Sequence, residues 1–118
     1  MTISSTPVTH LRVEIADTAA ERARGLMGRT ALGADEGMAF LFDSPTTAAF
    51  WMRDTRIPLS IAFWNASGRI VAILDMEPCL RDPCPTYAPR VPYVGAVEAN
   101  QGFFEEHGVR VGDRVELG

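Results

Sequence analysis

What the chain lacks narrows its reading first. No window approaches the ~18 apolar residues of a membrane-spanning helix, so membrane insertion is not expected. Met1 to Thr9 has neither a basic n-region nor an apolar h-region, and no signal peptide is read there. A cytoplasmic location is the default expectation, with a mature exported form left open. Lys and Arg together number 11 against 15 Asp and Glu, and the formal net charge of −4 offers nucleic acid no general attraction. Cys-x-x-Cys, paired His, a Gly-x-Ser-x-Gly elbow and a Gly-rich phosphate loop are all absent, which leaves CxxC-type redox, zinc and serine-hydrolase chemistry without a motif. Glu105 and Glu106 are sequence neighbours on one helix face and do not form an opposed acid/base pair.

What is present is an ordinary globular composition. The 118 residues, 47% apolar and 22% charged, suit a single domain with one real core. Residues 1–10, rich in Ser, Thr and Pro, read as a flexible tail, and residues 11–118 as one β-rich domain. Leu11, Val13 and Ile15 alternate with Arg12 and Glu14, the period-2 pattern of a half-buried strand. Thr18-Ala19-Ala20-Glu21 has the form of a capping box and predicts a helix over Ala19–Met27, closed by Gly28. Met38–Phe42 suits a strand buried on both faces, ended by Asp43-Ser44-Pro45, and Ala48–Met52 suits another. Ser60–Trp64 and Arg69–Leu74 flank Asn65-Ala66-Ser67-Gly68 as a hairpin. Tyr93–Ala99 is a strand; Asn100 is placed as the cap of a second helix that runs through His107 and stops at Gly108. About seven strands and two short helices, joined by short turns, predict a mainly β fold: an antiparallel β-sandwich or a partly closed barrel.

Five of the eight prolines fall between Glu77 and Pro92, so that stretch cannot be a helix or a central strand. It contains Cys79 and Cys84, whose spacing fits either a short disulfide loop or a reduced pair.

Seven segments, in order along the chain, carry a family resemblance: Ala16-Asp17-Thr18 with Glu21-Arg22; Gly25-Leu26-Met27-Gly28-Arg29; Glu36-Gly37-Met38-Ala39-Phe40; Phe50-Trp51-Met52-Arg53-Asp54-Thr55; Ile57-Pro58-Leu59; Glu98-Ala99-Asn100-Gln101-Gly102-Phe103; and His107-Gly108-Val109 with Val111-Gly112-Asp113. Together they resemble the family catalogued as domain of unknown function 192. The resemblance implies a compact β-sandwich of jelly-roll type in prokaryotic proteins, many of them exported and others lacking a leader. It implies no activity.

Three readings compete for a site. Arg22, Trp51, Arg53, Asp54, Thr55, Glu98 and Asn100 are the candidate ligand-binding residues, able to hold a polar or anionic ligand if their elements converge. The competing explanation is structural: Asn100 capping its helix, and Arg22 paired with Glu98 or Asp54. Phe50, Trp51 and Met52, with Met27, Phe63 and Trp64, could line an apolar pocket or simply fill the core. Scattered Met residues and the two Cys raise a soft-metal alternative, but without any clustered ligand set. The leading expectation is a non-catalytic, monomeric binding or accessory domain for a small molecule or a protein, with a groove near Trp51, Arg53 and the Pro-rich loop and no cofactor. An enzyme built on Arg22, Asp54, Glu98 and Asn100 is the alternative.

Overall fold

Alternating apolar and polar residues, cut by turn residues every eight to twelve positions, leave the chain little choice but short strands. The structure is a computed structural model describing residues 1–118. In chain order it comprises β1 (Thr2–Ile3), β2 (Thr9–His10), β3 (Arg12–Ala16), α1 (Ala19–Arg24), β4 (Glu36–Thr46) and β5 (Phe50–Trp51), then β6 (Leu59–Trp64), β7 (Ile70–Met76), β8 (Thr86–Tyr87), β9 (Tyr93–Asn100), α2 (Phe103–Glu106) and β10 (Val115–Glu116). With ten strands and two short helices, the fold is mainly β.

The main sheet has five strands in the order β3-β4-β9-β6-β7, with a three-stranded sheet β10-β1-β2 and a two-stranded ribbon β5-β8 beside it. None of the three closes into a barrel, so that expectation falls: each sheet ends on unpaired edges. The expectation of purely antiparallel pairing also fails at one place. β3 and β4 run parallel, Arg12 opposite Glu36 through Ala16 opposite Phe40, because α1 and the loop after it return the chain to its starting end. All other strand pairs are antiparallel.

The β6-β7 hairpin forms where the turn residues predict, Asn65 Oδ1 accepting from the amides of Ser67 and Arg69. The capping box also forms: the Glu21 amide donates to the Thr18 hydroxyl, and Glu21 Oε1 accepts from the Thr18 amide. α1 is shorter than predicted. Gly25, expected inside the helix, stands at its C-terminal end with φ 49°, a left-handed backbone that favours glycine. The tail expectation for residues 1–10 is wrong as well. Ile3 is fully buried, β1 sits between β2 and β10, and the Met1 ammonium donates to the Leu11 carbonyl. Two-residue strands carry no readable period, so pairing with a partner more than a hundred residues away left no local trace.

Side chains from the two faces of the main sheet enter two separate cores. Ala39, Ala62, Trp64 and Val97 on one face pack with Ile3, Leu11, Val115, Phe103 and Phe104. Met38, Phe40, Ile61, Phe63 and Ala96 on the other pack with Leu26, Met52 and Ile57. Glu98 follows Ala96 by two residues on β9, so it projects from this second face, opposite Met38 of β4 and Ile61 of β6. That register places a carboxyl group among apolar neighbours.

Candidate functional site

Beyond α1 the chain turns back over the second face, and Leu26 enters the core while Met27 stays half-buried. From the other side comes the Ala48–Met52 stretch. Between them lies a cleft of about 220 Å³ lined mainly by apolar side chains, among them Leu26, Met27, Phe40, Phe42, Phe50, Trp51 and Met52. Its polar lining is small: Arg22 and Arg24 from α1, Thr55, and Glu98.

The aromatic wall is braced from behind. Phe50 meets Phe40 edge-on at 5.0 Å between centroids, and Phe63 meets Tyr93 at 4.8 Å. Such edge-to-face pairs favour a fixed geometry. The Tyr93 hydroxyl donates to the Ala48 carbonyl and so holds the Ala48–Ala49 wall in place. Burial pushes that hydroxyl's pKa up to about 12.

The two sides of the cleft are tied together by backbone. Asp54, a non-glycine residue at φ 54°, donates its amide to the Cys79 carbonyl and accepts from the Gly28 amide, both near 3.0 Å. Cys79 is bonded to Cys84, and its backbone also bridges to Arg53 and Thr55. β5 pairs with β8 inside the Pro-rich stretch. That stretch therefore supports the cleft wall from outside without lining the cleft, and of the residues expected near a groove (Trp51, Arg53 and the Pro-rich loop) only Trp51 lines this one.

The seven candidate residues divide accordingly. Arg22, Trp51, Thr55 and Glu98 come together in the cleft. Arg53 and Asp54 lie outside it and are exposed, Arg53 stacking on Trp51 at 5.3 Å and pairing with Asp82 at 3.7 Å and Asp54 at 4.0 Å. Asn100 belongs to neither group: it ends β9 and donates to the carbonyls of Leu32 and Gly33, pinning the loop before β4. It does not cap α2, whose N-cap is Gly102. The pairing of Arg22 with Glu98 or Asp54 does not form either. Arg22 donates to the Leu41 carbonyl at 2.9 Å and lies 4.9 Å above the Phe42 ring. Of the proposed apolar set, Trp64 sits on the opposite face of the sheet. Arg24, Phe40 and Phe42 were not anticipated; Arg24 stands two residues from Arg22, a spacing that does not share a helix face, so no local signal pointed to it.

Glu98 is the chemical centre of the cleft. It is 4% exposed, and no protein group donates to its carboxyl. Every fully occluded side-chain oxygen or nitrogen in the protein has a partner, so the Glu98 oxygens open onto the cleft. Loss of hydration alone raises its pKa to about 8. At neutral pH the group is therefore mostly the neutral acid, which both donates and accepts a hydrogen bond.

Arrangement and sequence point the same way: the model of family DUF192, described as "Uncharacterized ACR", matches residues 1–117. The chain belongs to the DUF192 family. Among solved structures, a protein of unknown function from Novosphingobium aromaticivorans DSM 12444 is 38% identical, with a TM-score of 0.89 over 98% of this chain and 82% of that one. A proposed transcription regulator from Sinorhizobium meliloti 1021 is 30% identical, with a TM-score of 0.87 over 98% of this chain and 89% of that one. No curated protein matches. No helix of this DUF192 chain is long and apolar enough to cross a membrane.

Proposed function

We propose that this DUF192 domain is a non-catalytic, monomeric binding module that holds one small organic molecule in the cleft between α1 and β5, on a sandwich-like scaffold of bacterial type. The observation that carries this reading is Glu98: a buried carboxyl with no protein partner, opening only onto an apolar cleft. Burying a polar group unpaired costs free energy, and a ligand atom that satisfies it recovers that cost. Apolar walls with a few convergent polar groups are the usual make-up of small-molecule sites.

Binding is favoured over catalysis because Glu98 stands alone. The other carboxylate nearby, Asp54, is exposed and paired outside the cleft, and the Thr55 hydroxyl donates to the Arg53 carbonyl. A general acid without a second acid, base or nucleophile has no partner with which to complete a turnover. The test uses an obstructing substitution. Ala49 lines the cleft and is exposed, so Ala49→Phe fills the site without entering the core. Calorimetric titration of a fragment library is expected to yield ligands for the wild type that Ala49→Phe no longer binds. Ligands that bind both proteins equally, or no ligand at all for folded wild type, would overturn the proposal.

A further inference from the structure

The exposed end of the cleft differs from its floor in charge. Arg24 is exposed and Arg22 half-buried, both lining the mouth, and neither has an ion pair with any acidic residue. This is notable in a chain with a net charge of −4, where acidic partners are plentiful. Arg22 is held with its guanidinium over Phe42 and one nitrogen on the Leu41 carbonyl, which leaves further N–H donors free. Other charged groups near the cleft face away. Glu21 caps α1, Arg53 and Asp54 pair with each other outside, and Asp75 accepts from Ser60 on the far side of β6. A ligand thus enters past a segment of α1 that carries two arginines, meets aromatic walls, and ends at one carboxyl.

We infer that the cleft takes a small carboxylate with a single-ring body, its anionic head at Arg22 and Arg24 and a hydroxyl or carbonyl at its far end meeting Glu98. This rests on the binding reading above and narrows it to a ligand class. The size argument is direct: about 220 Å³ falls below the ~300–1,000 Å³ typical of drug-sized ligands, and suits one ring with short substituents. The charge argument excludes a cation as the preferred guest, since an ammonium group would approach the site past two fixed positive charges. Planar guanidinium groups bind carboxylates by paired hydrogen bonds, and they keep their charge at any pH used below. Glu98, in its neutral form, donates to the far polar atom. Once ionised it loses the donor and repels the anion, so affinity falls as the pH rises through the range where this carboxyl titrates.

Calorimetry with 4-hydroxyphenylacetate, tyramine and 4-ethylphenol separates the alternatives, because the three share a phenol ring and differ in head charge. At pH 6.5 the carboxylate is expected to bind wild type at least tenfold more tightly than either of the others, and Arg24→Ala to remove most of that margin. Between pH 6.5 and 9 its affinity is expected to fall about tenfold in wild type and to stay level in Glu98→Gln. Tighter binding of tyramine, or equal binding of all three, would overturn the ligand class while leaving the binding function standing. Library ligands that Ala49→Phe abolishes, with no binding by any of the three phenols, would overturn the class in the same way. A wild type that binds nothing from the library would overturn both.

Discussion

Glu98 is where residue chemistry and stability meet. A glutamate next to Val97 and Ala99 in a strand reads as the polar side of an alternating pattern, but its face is covered and the charge has nowhere to go. Folding lifts its pKa from the ordinary 4.5 to about 8, so the folded protein holds a proton that the unfolded chain releases first. The stability this group provides is complete below pH 4.5 and is lost as the pH rises through 8. By pH 9 the loss is on the order of 5 kcal/mol. Glu98→Gln keeps the shape and removes the titration. Thermal melts from pH 5 to 9 should therefore show a falling Tm in wild type and a flatter profile in the variant, with the two curves crossing or converging at acid pH. Parallel curves across the range would mean that the carboxyl is hydrated in the folded protein. Gly37 shows the same tight environment from the other side of the sheet ladder: a Cβ there would come within 2.3 Å of the Glu98 backbone oxygen, which has no room to yield.

At the scale of elements, α1 matters because it carries Arg22 and Arg24 over the cleft. A six-residue helix with no buried residue has little tertiary support, so its ends hold it. The Thr18–Glu21 capping box was legible because it is a local device: four consecutive residues satisfy each other's amides. Its far end was not. Gly25 follows Arg24 with its backbone against the Phe40 ring, a contact from a strand fifteen residues away. Thr18→Ala should cost about 1 kcal/mol in urea denaturation and speed amide exchange across residues 21–25. An unchanged midpoint with unchanged exchange would mean that α1 is held by its packing and not by its cap. The Pro-rich stretch presents the opposite case. Its prolines did exclude a helix or a central strand, and the edge ribbon β8 is all the regular structure it contains. Its role as outer support for the Phe50–Thr55 stretch arises only from pairing with Phe50, Trp51, Arg53 and Thr55.

For the whole molecule, the first ten residues decide whether one core is complete. Ile3 is fully buried with Leu11, Phe104 and Val115, and β1 supplies the only partner of β10. Removing residues 1–8 deletes that side chain and leaves an unpaired strand at each side. Loss of a buried isoleucine alone costs about 2–5 kcal/mol, which lowers Tm by roughly 10–20 °C in a domain of this size. Calorimetric melting of the truncated chain should show this drop, or no cooperative transition. A Tm within a few degrees of wild type would restore the reading of this segment as a tail.

The order of the strong strands, the β6-β7 hairpin, the capping box and the breaks at proline were determined by the sequence itself, because each depends on residues within a few positions of one another. The mainly β class followed from them. The tertiary structure alone decided that Thr2–Ile3 joins a sheet with the C-terminus, that β3 and β4 run parallel, that Asn100 pins a loop, and that Arg53 and Asp54 turn outward. It alone set Glu98 at the base of an apolar cleft. A strand covered on both faces loses its period, and what covers each face comes from chain segments far away in sequence, so whether a carboxyl on such a strand meets water or hydrocarbon is decided only when the layers pack.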